Sequence, residues 1–147
     1  VGLVISGHTF GMFAFSPISG RLAGRFGTPI IIAAGLALSA FSSVLAAVAP
    51  PDGGTVLFVA LFLLGVGWNL GFVAGSALLT EGLDGAERTT LQGATDAMIW
   101  SSAAAAALGS GIVVAAASYT ALGLLGAALI VLPVAAMLRG RAALRRS

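Results

Sequence analysis

The amino-acid sequence predicts an all-α membrane protein, a bundle of five transmembrane helices. Hydrophobic residues make up 59% of the 147 residues and charged residues only 8%. A soluble domain instead has about 45–50% apolar and about 25% charged residues. The apolar residues fall into long stretches without alternation of period two, which favours helices over a β-barrel.

Five of these stretches have the length of a membrane span. They cover residues 1–18, 29–48, 56–79, 91–116 and 121–138, and each is near or above the ~20 residues that cross a ~30 Å hydrocarbon core. The connections between them are predicted over residues 20–28, 49–55, 80–90 and 118–120, where turn-forming residues such as Pro50 and Gly54 lie. The chain starts inside an apolar segment at Val1, and we therefore expect it to be part of a longer protein.

The arginines predict the orientation in the membrane. Arg21 and Arg25 lie in the first connection, Arg88 in the third, and the other four arginines in the tail over residues 139–147. Alternate connections lie on the same side of a membrane, so all seven basic residues fall on one face. The positive-inside rule makes that face cytoplasmic. The tail is then a cytoplasmic C-terminus that contacts anionic lipid.

Several classes of site are disfavoured by composition. Cysteine is absent, and the chain has one histidine and five acidic residues, too few for a crowded metal cluster. We expect no metal site and no cofactor. The net charge is only +2, and no basic stripe is interleaved with aromatic residues, so no nucleic-acid partner is expected.

Polar residues within the fourth span are candidates for a solute or ion pathway. Asp96 is the one acidic residue placed inside a span, where a carboxylate costs about 2.5–3.5 kcal/mol unless water or a partner compensates. Gln92 and Trp100 lie four residues to either side, so the three share one helix face. The alternative is a structural carboxylate near the interface, bonded to a neighbouring helix end.

His8 and Asn69 lie near the middle of their spans and are further pathway candidates. His8 could titrate near neutral pH, although a lone histidine more often bonds across helices for structure. Asn69 is expected to face a cavity, and a helix-to-helix hydrogen bond is the alternative. Both alternatives remain open from the sequence.

Glycines at helical spacing predict close helix packing. Gly67, Gly71 and Gly75 form a doubled small-xxx-small run, and Gly7 and Gly11 form another pair. Spans one, three and four also hold the polar groups, so we predict that they are inner helices. Spans two and five hold little polarity and are predicted to be outer helices.

The first connection carries a family resemblance. Residues 20–29 have the sequence GRLAGRFGTP, which resembles the G-x-L-x-D-R-x-G-R-R loop signature of the major facilitator superfamily. Matches occur at Gly20, Leu22, Ala23, Arg25 and Gly27. A glycine stands in place of the aspartate and Thr-Pro in place of the basic pair, departures that fit the degenerate copy of the signature between the eighth and ninth helices.

The resemblance implies that the chain corresponds to helices eight to twelve of a transporter. In this family such helices would place spans one, three and four around a central cavity and spans two and five outside. The implied activity is alternating-access transport of a small-molecule substrate across the lipid bilayer, with ion coupling. The implied partner is the missing N-terminal half of the same transporter, without which the chain is not expected to transport.

The leading hypothesis is therefore a fragment of a secondary transporter of a bacterial inner membrane. The alternative is a small stand-alone helical membrane protein that acts as an interaction subunit through its glycine faces. An enzyme is not expected, because an intramembrane serine protease needs a base near its nucleophile and only His8 could serve.

Overall fold

The described residues of the computed structural model, 2–50 and 54–144, form an all-α membrane fold, as predicted. They contain no β-strand and are organised as seven helices joined by short connections. In chain order these are α1 (Gly2–Phe13), α2 (Ser16–Phe26), α3 (Thr28–Ala47), α4 (Gly54–Leu79), α5 (Gly85–Ala116), α6 (Tyr119–Leu129) and α7 (Val131–Leu144). Three parts of the predicted topology lie outside these ranges: Val1, residues 51–53 of the second connection and residues 145–147 of the tail.

Four stretches of the described chain are long and apolar enough to cross a membrane. They are α3, α4, α5 and the stretch Tyr119–Met137, which runs through α6 into α7. The first predicted span is divided between α1 and α2 and is not among these four. Its two parts meet at Ala14 and Phe15, so a helix break lies inside an apolar segment.

Proline explains where this break lies. Pro17 has no backbone N–H, so it cannot donate the helical hydrogen bond to the carbonyl of Phe13. The hydroxyl of Ser16 donates to that carbonyl instead, at 3.0 Å. Proline also favours the first turn of a helix, and Pro17 occupies the first turn of α2.

Within the connection predicted over residues 20–28, the chain is helical as far as Phe26. Gly20 and Gly24 are tolerated within α2, and no residue there interrupts its hydrogen bonds. Only Gly27 leaves the helix, with a φ of 91° that L side chains rarely adopt. Its N–H closes α2 by donating to the carbonyl of Ala23 at 2.9 Å, and α3 starts directly afterwards.

Helix α5 likewise begins within the connection predicted over residues 80–90. The carboxylate of Asp84 accepts hydrogen bonds from the backbone N–H groups of Ala86 and Glu87, both at 2.9 Å. This N-cap starts α5 at Gly85, six residues before the predicted span. With 32 residues, α5 is roughly 48 Å long.

Helix α4 is the central packing element, and two of its glycines place neighbours on opposite sides. A Cβ atom on Gly65 would overlap the carbonyl oxygen of His8 on α1. A Cβ atom on Gly67 would lie 2.6 Å from the hydroxyl of Ser39 on α3. Two residues turn a helix by roughly 200°, so α1 and α3 approach α4 from opposite directions.

Helix α3 is held between α4 and α6 by two further glycines. A Cβ atom on Gly35 would lie 2.7 Å from the carbonyl oxygen of Gly67, and one on Gly123 would lie 2.8 Å from the Cβ of Ala47. The hydroxyl of Thr120 also donates to the Ala47 carbonyl at 3.1 Å. These contacts fix the start of α6 against the end of α3.

The glycines of α4 allow a matched test of this packing. We expect Gly65→Ala to destabilise the protein, because the new methyl group must displace backbone of α1, at a cost of about 1–3 kcal/mol. Gly71→Ala is the control, since a Cβ there meets nothing within 4 Å and both changes gain the same helix propensity. The measurement is the free energy of unfolding in mixed micelles, and equal values for the two variants would contradict the packing.

Candidate functional site

Asn69 lies at the break between α1 and α2 and forms hydrogen bonds to both helices. Its side-chain Nδ2 donates to the carbonyl of Met12 at 2.6 Å and to the hydroxyl of Ser16 at 2.7 Å. Its Oδ1 accepts a short hydrogen bond from the hydroxyl of Ser19. The Asn69 side chain is only 1% exposed, so α4 supplies a buried amide that binds the interrupted helix.

The hydrogen bonds of Asn69 join α4 to α1 and α2. This is the arrangement named as the alternative in the sequence analysis, where Asn69 was expected to face a cavity. The physical reason is the break itself, which frees a carbonyl in an apolar segment where water is scarce. The sequence analysis missed Ser16 and Ser19 as partners. The Ser16-Pro17 pair at the end of the first predicted span could have indicated the helix break and these hydrogen-bond partners. A role for Asn69 in a solute pathway stays a prediction.

His8 makes a second polar contact between α1 and α4. Its Nδ1 lies 2.7 Å from the carbonyl oxygen of Leu61. A carbonyl only accepts, so Nδ1 carries the hydrogen and Nε2 is left as the basic nitrogen. His8 is half-buried, and its imidazole ties the two helices together.

Four aromatic rings meet where the end of α1, the middle of α4 and the middle of α5 come together. Trp68 stacks on Phe72, with centroids 4.5 Å apart and planes at 10°. Phe13 meets Trp68 edge-on at 5.8 Å. Trp100, from α5, lies 6.4 Å from Trp68 with the planes tilted by 44°. We call these residues the aromatic cluster. The sequence analysis singled out only Trp100 among them as a pathway residue.

The other pathway candidates lie on α5 with Trp100. Asp96 is half-buried and Gln92 is exposed. The described part of α5 contains no buried residue, in contrast to α4. His8 and Asn69 therefore lie at the contact between α1 and α4. The other candidates, Gln92, Asp96 and Trp100, lie on α5. The contact between the rings of Trp68 and Trp100 connects the two sets of residues.

Among the residues of the loop signature, Gly20 faces α4, whereas Arg21 and Arg25 are exposed. Gly20 faces Val73 of α4, where a Cβ would lie 4.0 Å from the Val73 Cγ1. Arg21 and Arg25 are exposed on α2, and the guanidinium of Arg25 lies 5.4 Å from the ring centroid of its neighbour Phe26. Two charges one turn apart on an exposed helix suit a polar membrane surface.

The predicted packing glycines also fall into two groups. A Cβ at Gly7 would lie 2.6 Å from the ring of Phe58, and one at Gly11 would lie 2.6 Å from the carbonyl oxygen of Phe62. Gly67 approaches α3 as described above. At Gly71 and Gly75 a Cβ would meet nothing within 4 Å, but the backbone N of Gly71 faces α3, 2.8 Å from where a Cβ on Gly35 would lie.

Residues capable of holding a metal ion do not gather in the described part of the chain. Within residues 2–50 and 54–144 there is no group of three or more His, Cys, Asp or Glu side chains in a metal-binding arrangement.

Comparison with known proteins gives three relatives, and each alignment covers most of this chain. The chain is 42% identical over 144 residues to the uncharacterized MFS-type transporter YdeG of Bacillus subtilis, an alignment that covers 96% of this chain and 33% of the relative. It is 43% identical over 137 residues to the uncharacterized MFS-type transporter YddS of the same organism, covering 91% of this chain and 31% of the relative.

A third relative comes from another bacterium. The chain is 40% identical over 109 residues to the riboflavin transporter RfnT of Brucella anthropi, covering 74% of this chain and 27% of the relative. The chain thus spans about a third of the length of the curated relatives it matches. No family model and no solved structure matches it.

Two buried serines test the hydrogen bonds at the helix break. Ser19 and Ser42 are each 1% exposed, but Ser19 donates to Asn69 on another helix whereas Ser42 donates to the Leu38 carbonyl of its own helix. We expect Ser19→Ala to lower the free energy of unfolding by about 0.6 kcal/mol, the average for interhelical hydrogen bonds in membranes, and by at most about 1.7 kcal/mol. Ser42→Ala should change it less, and the reverse order would show that the interhelical bond contributes little.

Proposed function

Because the chain belongs to the major facilitator superfamily, we propose that it forms part of a secondary transporter that moves a small solute across the membrane by alternating access. The observation that carries the proposal is the 42% identity to an MFS-type transporter over 96% of the chain. The transporter names of all three relatives also support a role in transport rather than in catalysis. The partner that would complete the transporter is its N-terminal half.

We propose further that α1, α4 and α5 line the solute pathway. Support comes from His8, Asn69 and Asp96 on these helices, whereas α3 and α6 contain no charged, amide or imidazole side chain. Asn69 would serve the pathway by holding the interrupted helix in shape. In alternating access the two halves of a transporter rock around a site near the bilayer midplane, which requires interfaces that keep their geometry as they move.

Ion coupling is assigned to His8 and Asp96 in this proposal. The Nδ1 of His8 lies within hydrogen-bond distance of the Leu61 carbonyl oxygen, and its Nε2 takes no part in that contact. Asp96 supplies a carboxylate within the long apolar helix α5. Ionisable groups inside membrane spans are costly and commonly take part in ion pathways.

The proposed setting is a bacterial inner membrane with the C-terminus in the cytoplasm. The exposed Arg21 and Arg25 at the end of α2 and Arg88 at the start of α5 support this orientation by the positive-inside rule. The relative from Brucella anthropi is named a riboflavin transporter, which makes riboflavin a first candidate for uptake assays.

The alternative of a stand-alone interaction subunit is not favoured. It rested on the glycine faces, and most of the glycines in close contact pack helices of this chain against one another. The relatives matched along the chain are transporters by name. The glycines therefore serve the internal packing of a transporter segment.

Flux measurements on the complete protein test the proposal. We expect His8→Ala and Asp96→Asn each to reduce proton-driven uptake in proteoliposomes by about tenfold or more, because each removes a group that carries a proton in the cycle. Exchange of solute without a proton gradient should fall less. Thr9→Ala and Met98→Leu, exposed positions on the same helices, are the controls. Wild-type uptake by both pathway variants would show that these residues are not the coupling groups.

A further inference from the structure

We propose that a groove between α3 and the α6–α7 stretch binds an anionic phospholipid of the bilayer, with an acyl chain in the groove and the phosphate beside Arg139. Four features of the described residues carry this inference: an apolar cavity closed at its inner end, a helix break that opens it, a basic residue at its outer end, and its position on the predicted outer helices. The site is separate from the solute pathway.

The groove is an apolar cavity of about 290 Å³, and every residue that lines it is apolar. One wall includes Ala33, Ala37 and Ala40 of α3, and the other includes Val134 and Met137 of α7. An apolar cavity of ~150 Å³ takes up benzene, so a cavity about twice that size has room for roughly a dozen carbon atoms. Its lining offers no polar group to a solute or to water, and a hydrocarbon chain is the occupant that fits it.

Two close contacts between α3 and α6 close the inner end of the groove. A Cβ atom on Gly123 would lie 2.8 Å from the Cβ of Ala47, and one on Gly126 would lie 3.5 Å from the hydroxyl of Ser43. The partners descend along α3 as they ascend along α6, so the two helices are antiparallel in a fixed register. No space remains between them at this end.

The same register predicts which residues face each other further along. It places Ala40 level with Ile130 and Ala33 level with Met137, and all four residues line the cavity. The groove therefore extends over seven residues of α3, roughly 10 Å. It runs from the closed end towards the start of α3 and the end of α7.

The break between α6 and α7 explains why the groove opens. Pro133 lies in the first turn of α7 and has no backbone N–H, so it cannot donate to the carbonyl of Leu129. The helix is interrupted at Ile130, and the N–H of Val134 donates to the Ile130 carbonyl at 3.3 Å. Among the described residues, the backbone of α3 approaches α6 closely but not α7. The space between α3 and α7 is the open part of the groove.

Arg139 places a positive charge at this open end. It lies two residues after Met137, roughly 3 Å further along α7, and its side chain is exposed. The register places it level with the first turn of α3, which begins at Thr28. A guanidinium binds phosphate through paired hydrogen bonds, and basic residues next to a membrane span attract anionic lipid. An apolar groove with an arginine at its mouth matches the acyl chain and the phosphate of one lipid molecule.

The position of α3 in the bundle favours lipid as the occupant. Its buried residues Ile31, Gly35 and Ser42 lie about half a turn away from Ala33 and Ala40, and Gly35 faces α4. The groove is thus on the side of α3 that points away from the central helix. Spans two and five are predicted to be outer helices because they hold little polarity, and the outer side of such helices meets hydrocarbon chains.

Photolabelling of the complete protein in vesicles tests the site. The vesicles are phosphatidylcholine with a trace of phosphatidylglycerol that carries a diazirine in one acyl chain, and labelled residues are identified by mass spectrometry. We expect label on residues 33–40 and 130–137 that excess unlabelled phosphatidylglycerol removes. Ala37→Leu should reduce it about tenfold, because the larger side chain occupies the groove. Ala34→Leu is the matched control, since Ala34 is also exposed on α3 but does not line the groove.

Replacement of the arginine tests the headgroup separately from the acyl chain. Arg139→Gln should weaken labelling by the phosphatidylglycerol probe about fivefold, which corresponds to the ~1 kcal/mol that a basic residue gains near anionic lipid. Labelling by a phosphatidylcholine probe with the same acyl chain should stay unchanged. Arg88→Gln, at an exposed arginine of α5, is the control. This comparison decides the assignment even if Ala37→Leu fails to fold.

Three outcomes would overturn the inference. Label spread evenly over α3 and insensitive to Ala37→Leu would show ordinary bilayer lipid without a site. Absence of label from residues 33–40 would show that another part of the protein covers the groove. Equal labelling by the two probes in the wild-type protein would exclude a contribution from the anionic headgroup. Solute uptake is a separate measurement, so none of these results counts for or against the proposed transport function.

Discussion

The structure depends on how one interrupted helix satisfies its backbone in an apolar segment. A backbone carbonyl without a partner costs several kcal/mol in hydrocarbon, and Pro17 removes a donor at the junction of α1 and α2. The Ser16 hydroxyl and the Asn69 amide supply hydrogen bonds to the carbonyls of Phe13 and Met12. Because Asn69 belongs to α4, this requirement fixes the height of α4 relative to α1 and α2.

Close backbone approach is the second condition, and it follows from the first. An asparagine side chain is short, so its amide reaches another helix only where the two backbones lie close together. Gly65 and Gly11 permit that approach between α1 and α4, and His8 adds a hydrogen bond to Leu61 within the same contact. Gly67 repeats the arrangement towards α3. One central helix thus holds two neighbours through glycine on opposite faces.

The sequence predicted the class of fold but not the position of its key interactions. Hydropathy defines α3, α4 and α5 because each is a long apolar run, and Gly27 ends α2 where the signature predicts a turn. The break at Ala14 and Phe15 escaped prediction, since hydropathy continues across it and only Pro17 marks it.

Glycine spacing within one helix also has limited predictive value, because it does not show which face a neighbour occupies. Gly65 and Gly67 approach different helices although they are two residues apart. Gly75 has the same spacing as a packing motif, but a Cβ there would meet nothing within 4 Å. For Asn69, both interpretations were compatible with its depth in the membrane. Only the partners supplied by α1 and α2 distinguish a helix-to-helix bond from a cavity-lining amide.

The uneven packing of the helices bears on how such a segment could move. Helices α1, α3 and α4 are joined through backbone contacts that leave no room for a methyl group, so they are expected to shift together as one body. Helix α5 has no buried residue among those described, and it meets α4 through the rings of Trp68 and Trp100. Asn69 lies within the body formed by α1, α3 and α4, where its hydrogen bonds join the interrupted helix to α4.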